Sequence, residues 1–474
     1  MGTRRARLSL AFAAALTLAA VAAPIASADF YAATKHGDHA PDGCTKSDCT
    51  LREAILAANA NPGRDRILLA SNRPYHLSRG GMPDDGALRG DLDITNDPLR
   101  IYHGGTGWAT IDARGVDRVF EIFAGAPTHL DHLRITGGKH PTSFDGNGGG
   151  IRTDASLWLL HCILTGNHAA GVEGSGGGLQ AANGALTILD STISDNVADD
   201  SSGALDIGNH GVTIKRSTIS GNRASFAGAV YFYGDGSSTI GSSTISGNRS
   251  TSETGSIYFS ESAGSLLVNR STFSRNVAAT DGGGFSARNG DVKFVNSTIA
   301  NNRAGGAGGG LWALTPVTLN AATIARNESD SDQVGGEDGG GIFVAGSGVE
   351  VKVRNTVVAL NHLGDGTRND CSGDPVTSLG HNLLSTKGPA GTCQGFDAAS
   401  DRVSGHPHLG DLKQNGGPTK TVALLAGSPA IGHADSTTAP GRDQRGVLRH
   451  DPDIGAFEQR LTALSEVKRA ARMW

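Results

Sequence analysis

Ser191-Thr192-Ile193-Ser194-Asp195-Asn196 recurs as Ser217-Thr218-Ile219-Ser220-Gly221-Asn222 and as Ser243-Thr244-Ile245-Ser246-Gly247-Asn248, with looser copies at 271–276, 297–302 and 322–327. The closing asparagines Asn167, Asn196, Asn222, Asn248, Asn276, Asn302, Asn327 and Asn361 follow one another at spacings of 29, 26, 26, 28, 26, 25 and 34 residues. A repeat of about 27 residues is a solenoid period, in which one small unit stacks on the next.

Two further signals keep the same period. One is a Gly cluster ending in an apolar residue, as in Gly176-Gly177-Gly178-Leu179, Gly203-Ala204-Leu205 and Gly228-Ala229-Val230. The other is a short alternation such as Leu186-Thr187-Ile188 or Val212-Thr213-Ile214. Alternation with period two and β-branched residues make the unit β, and nothing in the region keeps a helical period over ten residues. Short strands that recur in fixed order pair with their equivalents in the next coil, in parallel, at about 4.8 Å. The expected fold is therefore all-β: a right-handed parallel β-helix (solenoid) with an N-terminal capping helix. Ile188, Ile214, Ile240, Val268, Phe294 and Leu319 form one expected interior ladder, and Ile193, Ile219, Ile245, Phe273, Ile299 and Ile324 a second. The asparagines are expected to stack their amides along the axis and to take the left-handed backbone of a tight turn, with Gly supplying that geometry at the other corner.

A stack of coils exposes strand edges at its ends, which need covers. Thr50-Leu51-Arg52-Glu53 is a capping box opening a helix through Asn59, with Leu51, Ala54, Ile55 and Ala58 on one face. Residues 92–136 read as two or three less regular coils, and after Asn361 the period dissolves. The expected organisation is 1–28 signal peptide, 29–90 N-terminal cap, 91–362 β-helix, 363–460 C-terminal region and 461–474 basic tail.

Arg4, Arg5 and Arg7, an apolar run from Leu8 to Ala23 and Ala26-Ser27-Ala28 have the order of an export signal. The run is short for a membrane span, and no later stretch is apolar enough to cross, so an extracellular or cell-surface protein is expected, by Sec or twin-arginine export. A net charge of -5 without a basic block beyond the tail argues against nucleic acid as a partner. Five cysteines in an exported chain suggest disulfides, Cys44 with Cys49 and Cys371 with Cys393, contributing about 2 and about 3.4 kcal/mol by chain entropy. Cys162, among apolar neighbours, reads as a buried structural thiol, and no Cys or His spacing marks a zinc site.

No reaction centre is evident. A polar row precedes the repeated Ser: Asp190, Arg216, Ser242, Arg270, Asn296 and Ala321, with Arg354 in the last coil. Arg216 and Arg270, two coils or about 10 Å apart, would suit the carboxylates of an acidic polysaccharide. The plainer reading is a solvated face of mixed charge. Asp206 and Asp281 stand near another strand row without a partner acid in adjacent coils. The insertion holding Glu328, Asp330, Asp332, Glu337 and Asp338 is the one place that offers oxygen ligands for Ca²⁺, although its spacing matches no defined calcium loop; no other cofactor is expected.

Asp42-Gly43-Cys44-Thr45 with Asp48-Cys49-Thr50-Leu51-Arg52-Glu53-Ala54-Ile55 and Asn59-Ala60-Asn61 resembles the CSLREA domain, with Thr50 in place of Ser. Asn415-Gly416-Gly417-Pro418-Thr419, Leu424-Leu425-Ala426-Gly427-Ser428-Pro429-Ala430-Ile431, Asp443-Gln444-Arg445-Gly446 and Asp453-Ile454-Gly455-Ala456-Phe457-Glu458 resemble the choice-of-anchor Q domain. The middle is similar to β-helix repeats of the pectate-lyase-like kind. These resemblances imply a bacterial surface or secreted β-helix protein and carry no catalytic residue. The expected role is non-catalytic and adhesin-like: a monomer, capped at both ends, presenting a long face to polysaccharide or another cell-envelope component. The alternative is a polysaccharide lyase or glycoside hydrolase acting on an acidic polysaccharide.

Overall fold

The computed structural model describes residues 28–80, 85–95, 97–140, 146–208, 211–334, 338–388 and 392–459. All of the expected signal segment 1–28 except Ala28, and the tail 461–474, lie outside them. A regular coil carries four short strands. In one, Leu205–Ile207 and Val212–Lys215 join a 22-stranded sheet, Thr218–Ser220 a 13-stranded sheet and Arg223–Ala224 an eight-stranded sheet, counted among the described residues. Every one of these strands pairs in parallel with its equivalent: Leu205 with Val230, Ile214 with Ile240, Thr218 with Thr244 and Arg223 with Arg249. Both apolar ladders run in register through the buried core.

The asparagine column is a directed hydrogen-bond chain. Both the backbone N–H and Nδ2 of Asn222 donate to Oδ1 of Asn248, at 3.0 and 2.9 Å, and Asn222 Nδ2 also donates to the Ile193 carbonyl at 3.0 Å. The same pattern runs from Asn167 to Asn361. At one end Gly138 N–H donates to Asn167 Oδ1; at the other Asp370 Oδ1 accepts from Asn361. The left-handed residue of this turn is the one before each asparagine, such as Asp195 (φ 56°), Gly221 (68°) or Arg275 (57°), and not the asparagine, whose side chain must point inward to its neighbour. At the Gly corner the first glycine of a cluster takes the expected left-handed backbone, as at Gly148 (φ 67°), Gly176 (69°), Gly282 (69°) and Gly308 (70°), whereas Gly203 does not; a Cβ there would lie 2.5 Å from Arg223 N and Gly228 O, so space decides that residue.

A second column stands inside the other turn. Ser191, Ser217 and Ser243 each donate their N–H to the next serine's Oγ at 3.2 Å, and the hydroxyls return to carbonyls two residues back. Cys162 opens this column: its N–H donates to Ser191 Oγ, and burial pushes its thiol up to about 12, the structural role expected of it.

The stack extends beyond residues 91–362 at both ends. Asp65–Leu69 already pairs with Leu99–His103, and Phe30–Ala33 pairs in turn with Asp65–Leu69. At the far end Cys371–Gly373, Thr377–Ser378 and Leu383–Leu384 complete another coil, closed by the disulfide Cys371–Cys393. These coils lack the repeated phrase, which is why the period hides them. The helix Leu51–Ala60 has the expected capping box and is tethered by Cys44–Cys49. No helix among the described residues is long and apolar enough to cross a membrane.

Residues 404–459 then fold back as a strap over the outer face of the 13-stranded sheet. Thr419 Oγ1 donates to the Arg270 carbonyl, Thr298 Oγ1 to Gln444 Oε1, Asn320 Nδ2 to the Thr438 carbonyl, and Asp435 N–H to Asn355 Oδ1. Leu409, Val422, Leu424, Ile454 and Phe457 pack on Ala300, Ala325, Val357, Ala359 and Leu383.

Candidate functional site

The second residue of the strand opening each coil points outward, so register lines up Glu121, Arg152, Gln180, Asp206, Tyr231, Tyr258, Ser286, Trp312 and Phe343 on one face. At the N-terminal end of the row Arg152 pairs with Glu121. At its centre Phe226, from the preceding loop, lies 4.5 Å from Tyr258 and 5.6 Å from Tyr231, while Tyr231 meets Tyr233 at 5.0 Å. Further along, the Arg288 guanidinium sits 3.5 Å over the Trp312 ring and pairs with Glu253 at 2.7 Å. The half-buried rings make a platform of apolar faces with hydroxyl rims, the form that contacts the C–H face of a sugar while leaving donors at its edge.

Beside the platform lies a depression of about 270 Å³, lined among others by Glu173, Gln180, Asp200, Asp206, Tyr231 and Tyr233. Asp206 is 3% exposed. Burial pushes its carboxyl up to about 6, against hydrogen bonds from Tyr233 and Ser202, and Asp200 raises it further. Burial and the same Asp206 raise the Tyr233 phenol. The arrangement holds a carboxyl that exchanges its proton near neutrality next to a ring platform, which suits hydrogen bonding to hydroxyls and general-acid chemistry.

The linkage is testable. An Asp raised to about 6 keeps its proton in the folded chain between about pH 4 and about 6, where the unfolded chain releases it, so stability falls as pH rises through that window and stays lower above it. Asp206→Asn is expected to stabilise the protein by on the order of 2 kcal/mol at about pH 7.5 and to change little at about pH 4, read from denaturant midpoints at the two values.

The row Asp190, Arg216, Ser242, Arg270, Asn296, Ala321 is also in register, but as a column of left-handed turn residues (φ 47–54°), not a strand face. Arg354 stands opposite Asn320, one position before that column, and Asn355 holds its place, because the insertion lengthens the intervening spacing to 34 residues. Asp190 and Arg216 are joined by two hydrogen bonds of 2.7 and 2.6 Å, so this guanidinium is already engaged by a carboxylate. From Arg270 on, the strap covers the column: Asn296, Ala321 and Asn355 are buried. The four residues therefore do not meet at one exposed site.

In the insertion, Glu328 pairs with Arg303, Asp332 accepts from Val334 N–H, Asp338 faces Asn369 and Ser372, and Glu337 lies outside the described residues. The described acids of this loop do not converge on a common cation position. Asp281 accepts from Ala307 N–H. The aromatic platform escaped the sequence reading, although its signal was there: Gln180, Asp206, Tyr231, Tyr258 and Trp312 each directly follow the apolar residue that ends a Gly cluster.

Residues 162–358 match the family described as right handed beta helix region. No curated protein sequence matches the chain. Among solved structures, it is similar to the crystal structure of pectate lyase Pel9A, with a TM-score of 0.48 and 16% identity, covering 92% of this chain and 97% of that one. With its coils stacked in parallel register, and the family match covering residues 162–358 of them, the chain folds as a right-handed parallel β-helix.

Proposed function

We propose that the protein is exported with loss of residues 1–28 and acts outside the cell or on its surface as a monomeric, non-catalytic β-helix that binds a neutral polysaccharide along the outer face of its 22-stranded sheet. The observation that carries this reading is the platform of Phe226, Tyr231 and Tyr258 beside the depression at Asp206. Glu173, Asp200 and Asp206 in that depression would repel uronates, which favours neutral sugars over acidic ones. Two disulfides suit an oxidising compartment, and the CSLREA-like cap and choice-of-anchor Q-like strap fit a surface protein.

Titration calorimetry with neutral (glucan, xylan, mannan) and acidic (polygalacturonate, alginate, hyaluronan, heparin) oligosaccharides tests this. Binding to a neutral series, weakened about tenfold or more by Tyr231→Ala and again by Tyr258→Ala, is expected, each tenfold being about 1.4 kcal/mol. Binding that ignores both changes sinks the reading.

The second reading, a glycosidase, rests on the raised Asp206 carboxyl. Release of reducing ends that Asp206→Asn abolishes while ligand still binds would replace the binding role with hydrolysis. Formation of unsaturated uronate would point to a lyase.

A further inference from the structure

The same turn column that carries Asp190 and Arg216 begins, two coils earlier, with two histidines. His132 (φ 54°) and His161 (φ 53°) hold equivalent positions in consecutive coils, so the coil repeat stacks their rings at 4.4 Å and 23°. Both Nδ1 atoms face one oxygen: His132 Nδ1 is 2.7 Å and His161 Nδ1 3.4 Å from Asp131 Oδ1. One ligand atom from each of the three residues lies within 4.8 Å of the others.

We propose that Asp131, His132 and His161 bind a divalent first-row transition-metal ion of the Zn²⁺ class. Two imidazoles and one carboxylate are a donor set for Zn²⁺, Ni²⁺ or Cu²⁺ and not for Ca²⁺ or Mg²⁺, which take oxygen. Bonds of about 2.0–2.1 Å in a tetrahedral shell separate ligand atoms by about 3.3 Å, close to the His161 spacing and reached from the His132 spacing by a small opening.

The surroundings orient these ligands as a metal site requires. Asp131 Oδ2 is held by Arg100 Nη2 at 2.7 Å, which leaves Oδ1 turned to the rings. With Nδ1 bound to metal, His161 carries its proton on Nε2, and that atom faces Asp190 Oδ2 at 4.0 Å; Asp190 is itself clamped by Arg216. A carboxylate behind a metal-bound histidine fixes the tautomer and ring plane. Trp108 Nε1 donates to the His161 carbonyl at 2.6 Å and pins the turn. The His132 and His161 side chains are 39% and 50% exposed, so the ion would be exchangeable. This inference stands apart from the glycan reading, which concerns another row.

The test is calorimetric titration of the purified protein with Zn²⁺ alone in chelator-free buffer, with Ca²⁺ as comparison. One equivalent of Zn²⁺ is expected to bind, with affinity falling at least tenfold in His132→Ala and in His161→Ala. Asp190→Asn, which leaves all three ligands in place, is expected to weaken binding about tenfold through His161 alone. The histidine variants should fold, because Ala321 already occupies the same left-handed turn position (φ 53°), and circular dichroism checks this. Zn²⁺ binding unchanged in both variants would assign the ion to others of the 16 histidines and overturn the proposal. So would no binding, or Ca²⁺ binding as tightly as Zn²⁺.

Discussion

Asn248→Ala is expected to lower unfolding stability by about 3–5 kcal/mol, because a buried backbone N–H and one buried amide hydrogen lose their acceptor at about 1–3 kcal/mol each and a carbonyl loses its partner. Asn248 is fully buried, and its Oδ1 accepts from Asn222 N–H and from one hydrogen of Asn222 Nδ2, whose other hydrogen goes to the Ile193 carbonyl. The change also removes the donor to the Ile219 carbonyl. Asn248→Asp should cost at least as much near neutrality: it keeps the acceptor but sets a carboxylate oxygen against the Ile219 carbonyl and Asn276 Oδ1. That contrast explains why an aspartate stands only at the column's end, where Asp370 need only accept. Urea unfolding of both variants checks the effect. Arg249→Ala, one residue along and exposed, is the control and should stay within about 0.5 kcal/mol.

Arg52→Met should cost about 3–5 kcal/mol, the penalty for leaving one member of a buried ion pair alone. Arg52 is fully buried in the capping helix and meets Asp38 through Nε at 2.7 Å and Nη2 at 3.1 Å. Its remaining hydrogens go to the carbonyls of Ala87, Gly90 and Asp91, so one side chain ties the helix to the first coils. Met fills similar volume and supplies none of these donors. Asp38 would keep the N–H groups of Ser78 and Arg79 but no countercharge. The expected result is a lower midpoint together with faster proteolysis before residue 95; a midpoint within about 1 kcal/mol of the parent would contradict the argument.

The regular coils were legible because each one repeats the same physical problem: an apolar rung, an inward asparagine, a glycine where two backbones touch. One copy is ambiguous, and eight copies fix the register. The strap was not legible as a cover, since its contacts are tertiary and carry no period. Yet its footprint is written in the repeat. Where the sheet faces water, the fourth residue of the phrase is Ser194, Ser220 and Ser246; under the strap that position holds Ala300, Ala325 and Ala359. The platform of Phe226, Tyr231 and Tyr258 was missed for a different reason. Outward positions carry no constraint from packing, so their residues look like noise until the register aligns them. Arg354 lies one position before the turn column, because the 34-residue coil that follows Ala321 brings Asn355 into that place.

The strap also changes how the molecule comes apart. In a bare solenoid each coil answers only to its neighbours, and fraying proceeds one layer at a time. Here the segment 404–459 touches the coils of Arg270, Asn296, Asn320 and Asn355 at once, so none of these four peels away without releasing a chain that also grips the others. The C-terminal half is thus one cooperative block, while among the described residues the coils of Asp190, Arg216 and Ser242 have no such clasp. Amide exchange should divide the helix along that line, with graded opening on one side and a single shared opening energy on the other.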